Sequence, residues 1–463
     1  MHHHDIRGLA VTARTPEAVR QLDLAVADFL NYGTGASTAV KDALVADPDC
    51  ALAQVYRGYL LMMLENRAVF PKIQAALDAL GAVEGSLNGR ERLHVRALQA
   101  WVKGDIAAAC LAWERLLIEY PHDIMALKLH HTMAFYTGRS NVLRSVVSGV
   151  IGAWDDTVAG YSHVQGMYAY ALEECGEYAE AERWGRAAAE RNPDDLWAIH
   201  SVAHVMEMQG RHAEGVAWLD YSPEEWARKN FFKAHVWWHA ALFSIAQEDY
   251  ARALALFDNE LSNLNSDSYV DVSNQASLLK RLEIAGIDVG ERWNLLAAHS
   301  ETRINDHILP FRDAHYCLAL AAGGNFDAAR RQIDALFAFS RQGQGWTAEA
   351  TRSTLIPLCE AMIAYEAGQH ARACDLLWPM RNELSPIGGS LAQRDLFAQI
   401  LIDAAVKGGR LGMARSLLSE RVAKFPTARR NWTQYARVLA DLDKPDAARR
   451  AEGRARAVGS LTI

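Results

Sequence analysis

Cysteine is sparse and scattered: six residues in 463, Cys50, Cys110, Cys175, Cys317, Cys359 and Cys374, with no CxxC pair. That spacing excludes a disulfide framework and a zinc finger, and the thiols read as small apolar residues in helices. No apolar run is long enough to span a bilayer, and the opening MHHHDIRGLAVTA lacks a signal-peptide core. A cytoplasmic protein with no membrane partner is the expectation. A basic excess is missing too: the formal net charge is −8 and the pI about 6.1, which argues against a nucleic-acid partner. Strand patterns are nearly absent. There is no P-loop, GxGxxG, GxSxG or HExxH, so nucleotide kinases, dinucleotide enzymes and α/β-hydrolases are poor readings.

What remains is helix. Half of the residues are hydrophobic and 22% charged, a balance for a folded chain rather than a disordered one. Ala-, Leu-, Glu- and Arg-rich segments recur, each ending near Gly or Asn and followed by a second helical segment. The clearest unit is GMYAYALEECGEYAEAERWGRAAAERNPDD, in which Gly176 ends one helix, Tyr178 and Ala181 open the next and Pro193 closes it. Turn markers then run Asn66, Gly104, Gly138, Gly176, Gly210, Glu248, Gly286, Gly324, Gly368, Gly409 and Asp443. Their spacing of 34 to 44 residues is that of helical repeats. The predicted fold is an all-α, tetratricopeptide-like, right-handed helical-hairpin solenoid of about eleven hairpins, a single domain over 1–463. Within it, 1–88 are N-terminal hairpins, 89–330 central His-rich repeats, and 331–463 C-terminal repeats with a cap whose solvated face is RRAEGRARA. First helices are expected to line a concave wall and second helices to cover the outside.

The 17 histidines are not spread evenly; apart from His2–His4, read as a tail, they concentrate mid-chain. With each turn marker set at position 15, positions 2, 5, 9 and 12 of the first helix face inward. His94 falls at 5, His163 at 2 and Glu173 at 12. His200, His204 and Glu207 fall at 5, 9 and 12 of the next unit, and His235 and His239 at 2 and 6 of the one after. His130 and His131 lie between His94 and His163.

Several readings stay open. Imidazoles at i and i+4 suit a divalent metal, with His200, His204 and His239 as ligands. In an enzyme acting on a small organic molecule, His204 and His239 would be ligands or bases, and Glu207 and Glu173 acid/base or orienting groups. In a binding protein, His94, His131, His163, Tyr170, His200, His235, Trp237, Trp238 and Arg394 would contact a small-molecule ligand or peptide. The bland alternative is a set of core histidines, each satisfied by a nearby carbonyl or carboxylate. Similarly, GGSLAQRDLF is either an anion-holding helix N-terminus or a plain loop and N-cap.

RERLHVRALQAW, the long run from HVQGMYAYALEECGEY to MEMQGRHAEGVAWL, HVWWHAAL and GGSLAQRDLF together resemble the tetratricopeptide repeat protein 38 family over nearly the whole chain. The resemblance implies a tetratricopeptide-like fold, His at positions matching His94, His163, His200, His204, His235 and His239, and Glu at Glu173 and Glu207. It implies no reaction. The family usually has Asn where this chain has Val236, and often a polar residue at Leu391.

Overall fold

The computed structural model describes residues 2–262 and 269–459. They form two compact units. The first comprises Met1–Val202, Ser222–Lys233 and Gly343–Glu349, and the second Ala203–Tyr221, Ala234–Gln342 and Ala350–Ile463.

The first unit opens with a two-stranded antiparallel ribbon, β1 (His2–His4) and β2 (Ala10–Thr12), in which His3 pairs with Val11. His2–His4 are therefore a strand, not a tail. Three residues are too few for alternation to register in the sequence. Helices follow in pairs: α1 (Pro16–Leu30) with α2 (Ala36–Ala46), α3 (Ala51–Met62) with α4 (Phe70–Ala82), and α5 (Gly89–Val102) with α6 (Ile106–Glu119). Next come α7 (Ile124–Tyr136) with α8 (Ser140–Val150), and α9 (Tyr161–Glu173) with α10 (Tyr178–Arg191). α11 (Leu196–Gln209) begins in this unit and ends in the second.

The second unit continues with α12 (His212–Trp218), most of α13 (Phe232–Ala246), α14 (Tyr250–Leu256), α15 (Tyr269–Ile284), α16 (Arg292–Glu301), α17 (Pro310–Ala322) and α18 (Phe326–Gln342). The short α19 (Gly345–Ala350) precedes α20 (Ile356–Glu366), α21 (His370–Met380), α22 (Leu391–Lys407), α23 (Leu411–Lys424), α24 (Arg429–Asp441) and α25 (Pro445–Gly459). The chain is thus all-α, of tetratricopeptide-like hairpins, apart from one ribbon. No described helix is long and apolar enough to cross a membrane.

The turn markers are what set the phase. Gly104, Gly138, Gly176, Gly210, Gly286, Gly324, Gly368 and Gly409 all have φ between +65° and +86°, and Glu248 and Asp443 adopt φ +62° and +54°. That is the left-handed residue that ends a helix, where glycine carries no Cβ penalty. One marker is displaced: Glu65 takes the positive φ, and Asn66 instead caps the following turn by accepting from the Ala68 amide. The α1–α2 pair precedes the series and escapes it, because Tyr32 occupies its turn at φ +55°.

Burial differs sharply between helices of the hairpins. In α7 every residue but Thr132 is buried, whereas α10 buries only Ala181, Gly185 and Ala188. Segments distant in sequence also pack together within each unit. In the first unit Tyr32 stacks on Phe232 at 4.2 Å, and Lys229 Nζ donates to the Asn31 carbonyl at 3.0 Å. In the second, α22 packs on α15, where Arg281 donates to the Ala392 carbonyl at 2.9 Å.

Helix crossings are close enough to specify small residues. A Cβ on Gly215 of α12 would sit 2.5 Å from ring carbons of Phe243 on α13. Gly215→Ala is expected to destabilise the protein by about 1–3 kcal/mol, measured by urea denaturation; an unchanged midpoint would mean that Phe243 swings aside freely. At the C-terminal end Ala448 and Ala451 of α25 pack on Ala436 and Leu439 of α24 while Arg449 and Arg450 stay exposed. α25 thus presents an exposed basic face.

Candidate functional site

His94 is a core residue tied on both sides. Its Nε2 lies 2.9 Å from Asp123 Oδ2, its Nδ1 3.1 Å from Tyr59 Oη, and Trp113 Nε1 donates to the same hydroxyl at 3.1 Å. Arg90 Nε also donates to Asp123, at 2.6 Å, and its guanidinium lies 3.4 Å from Asp5 beside the ribbon. Asp123 is fully buried. Burial alone would raise its pKa, but Arg90 and His94 together hold it far below the usual carboxylate range. His163 is placed likewise: Nδ1 is 2.9 Å from Asp195 Oδ2, and the other Asp195 oxygen accepts from the Trp197 and Ala198 amides at the start of α11. His130 Nε2 lies 2.9 Å from Glu114. Each of these three rings faces a carboxylate.

A second group in the same unit is aromatic. Tyr170 stacks on His200 at 5.6 Å and packs on Trp197 at 4.8 Å, while His131 meets both Tyr170 and Trp197 edge-on. Lys128 runs between them, its Nζ 3.9 Å from the Trp197 ring centroid and donating to Tyr32 Oη at 2.8 Å. Burial brings Lys128 down to about 7, against a smaller pull from Asp195. Burial, with Lys128 and His130, also holds His131 neutral. Lys128 was missed in the sequence, although it sits at position 5, in the row of His94 and His200.

In the second unit three histidines meet. The His204 and His239 rings are 4.5 Å apart, His235 and His239 are 5.0 Å apart, and ring nitrogens of all three come within 4.8 Å of one another. Exposures are 0%, 4% and 0% for His204, His235 and His239. His235 Nδ1 lies 2.9 Å from Asn274 Oδ1 on α15. Burial pushes His235 down to about 3 and holds His239 well below the usual imidazole range, helped by neighbouring imidazoles. Trp238 is buried with its Nε1 donating to Ser277 Oγ at 2.9 Å, and Trp237 is buried as well. Glu173, a catalytic candidate in the first unit, is fully buried in α9.

Glu207, one turn beyond His204 on α11, lines a cavity of about 100 Å³ within the second unit. Arg281, Asp395, Asp403, Arg421, Arg430 and His212 share its wall. Arg421 grips Asp395 with two hydrogen bonds, 2.7 and 2.9 Å, and its Nε donates to Asn431 at 3.0 Å. Arg281 spends donors on the Ser277 and Ala392 carbonyls, and Arg430 one on the Ile284 carbonyl. Glu207 Oε2 is buried and makes no hydrogen bond. Burial raises the Glu207 pKa to about 7 despite Arg281, with Asp395 adding and Arg421 subtracting. Arg281 falls to about 10, again chiefly by burial. Asp395 stays well below the usual carboxylate range because Arg421 outweighs burial.

Arg394 donates to the Gly388 and Gly389 carbonyls, and Ser390 forms a capping box with Gln393. GGSLAQRDLF thus folds as a loop leading into an N-cap. Arg281 and Arg421, which the sequence did not single out, are contributed by α15 and α23, and Asp395 of the GGSLAQRDLF segment by α22.

No family model matches the chain. Among solved structures it is similar to human IFIT1, as a dimer with m7Gppp-AAAA, at 12% identity over 97% of this chain and 96% of that one, TM-score 0.40. It is also similar to the TPR domain of P58(IPK), at 14% identity over 81% and 99% of the two chains, TM-score 0.22. Yeast Tom70 matches at 12% identity over 94% and 87%, TM-score 0.25. No residue role is carried over from them.

Proposed function

We propose that this chain is a tetratricopeptide-type binding protein, of the tetratricopeptide repeat protein 38 family, that holds the anionic headgroup of a small polar molecule in the Glu207 cavity. The observation that carries this reading is the cavity wall itself. Guanidinium groups of Arg281, Arg421 and Arg430 stand around a carboxylate with one oxygen that makes no hydrogen bond. A buried polar atom without a partner is rare in native proteins and calls for an explanation. Arg281 and Arg430 each keep donors beyond those given to backbone carbonyls, because a guanidinium has five. Their charges fit a carboxylate or phosphate, and Glu207 fits a hydroxyl or ammonium on the same molecule.

Size limits the guest. The space of about 100 Å³ is smaller than the ~150 Å³ cavity that accepts benzene. It therefore takes a headgroup, with any remainder of the ligand reaching outward past Arg429, whose side chain is 56% exposed. Family membership rests on the segments quoted above. A peptide occupant would present the same carboxylate, and the histidines would then contribute structure rather than contact.

The test is a thermal-shift and calorimetric panel of inorganic phosphate, acetate, glycine and glycerol. Phosphate or the carboxylates are expected to stabilise the protein, and glycerol to leave it unchanged. Arg281→Met should weaken the anion at least about tenfold, the scale of a single charge-assisted hydrogen bond. Because Arg281 also ties α15 to α22, Glu207→Gln serves as a second variant, expected to change the rank order between glycine and acetate. Anions that bind both variants like the wild type, or none of them, would overturn the reading.

A further inference from the structure

Beyond the anion cavity, we infer that His204, His235 and His239 form a three-imidazole site for a divalent transition metal such as zinc or cobalt. Three features carry it. Their nitrogens already converge to within 4.8 Å without any metal, and a tetrahedral ion with bonds near 2.0–2.1 Å would need them about 3.3 Å apart. Small side-chain rotations close that difference. His204 comes from α11, and His235 and His239 from one face of α13, one turn apart, so two packed helices fix the directions of all three rings.

The second feature is the tautomer. His235 Nδ1 faces the Asn274 amide oxygen at 2.9 Å. An amide oxygen only accepts, so the ring proton lies on Nδ1 and Nε2 keeps the lone pair a metal needs. Orientation of a metal-binding imidazole by a hydrogen bond to its other nitrogen is the usual supporting device. Third, aromatic surface walls the rings: Trp238 stacks on His235 at 5.2 Å and lies edge-on to His239 at 4.8 Å.

With three neutral nitrogens the site keeps a fourth position for water or an anion, the arrangement of catalytic rather than structural zinc centres. Sequence spacing pointed to His200, His204 and His239. Within the second unit His235 joins His204 and His239, and His200 stacks on Tyr170 in the first. The opposing charge is Arg281, whose field acts on His239. It lowers the affinity for a dication.

The test uses full-length protein in which His2, His3 and His4 are each replaced by Thr. Thr retains β-propensity in the ribbon and removes competing imidazoles. Purified without metal resin and titrated with Co²⁺, it is expected to take up one equivalent, with the intense visible absorption of a tetrahedral ion, and Zn²⁺ should displace it. His204→Gln and His239→Gln should each lose at least about 100-fold in affinity, and Asn274→Leu, a positioning change, about 10–100-fold. Circular dichroism of each variant reports whether it folds. Should both Gln variants fail to fold, the cobalt spectrum of the parent protein decides alone: no stoichiometric tetrahedral band overturns the proposal. Unchanged Co²⁺ affinity in a folded Gln variant overturns it too. Arg281→Met separates this site from the anion cavity, since it should weaken anion binding at least about tenfold while metal binding holds or tightens.

Discussion

Asp123→Ala is expected to destabilise the first unit by about 3–5 kcal/mol, the loss typical when one partner of a buried ion pair is removed. The mutation strands Arg90, 2% exposed, and leaves His94 Nε2 without its acceptor. It also removes the cap that accepts from the Ala126 amide at the start of α7. Urea denaturation followed by tryptophan fluorescence measures it, because Trp113 shares the Tyr59 hydroxyl with His94. Replacing both members, Arg90→Met with Asp123→Leu, should recover much of the loss, since the buried charge then disappears with its partner. A single mutant within about 1 kcal/mol of wild type would show that the pair is solvated.

Acidification gives the same answer by another route. The folded-state pKa of Asp123 is depressed, so its contribution is complete above the unfolded value near 3.9. It drains away as pH falls toward the lower folded value. The gap between wild type and Asp123→Ala should therefore shrink steadily below about pH 4.

Glu207→Gln should do the reverse and stabilise the protein, by up to about 3 kcal/mol at pH 8, with little effect at pH 4. The Glu207 pKa is raised to about 7, against about 4.3 when unfolded. Between those values the native state binds more protons than the unfolded one, so stability falls as pH rises through that window. Above it the penalty is constant. Groups facing Glu207 are Arg281, Asp395, Asp403, Arg421, Arg430 and His212. Of these, burial puts His212 near 4, below most of the window. Thermal midpoints of the two proteins from pH 4.5 to 8 measure the difference; curves that stay parallel would show Glu207 ionised throughout. A residue that lowers stability at neutral pH fits a binding role.

The hairpin series was legible because it depends on local backbone chemistry. A helix ended by a left-handed residue asks for glycine, and eight of the markers are glycines with positive φ. The signal fails where another residue carries that φ, as at Tyr32, and slips by one at Glu65. The inward phase of His204, Glu207, His235 and His239 was legible for a similar reason, since a fixed turn and a rigid helix set each azimuth. What those residues meet was not legible. His94 and His163 found carboxylates, Arg394 found its own loop, and Glu207 found arginines from α15 and α23.

By itself, then, the sequence determined the helical class, the turn positions and the face on which each polar side chain lies, because these follow from interactions within a few residues. Only the tertiary structure decided which distant segments pack together within each unit, Tyr32 on Phe232 and α22 on α15. It alone brought Arg281 and Arg421 to Glu207, and His204 to His235 and His239. Those partners are separated by up to hundreds of residues. Their meeting depends on how successive hairpins rotate, and small rotations per repeat accumulate over distances that no local pattern records.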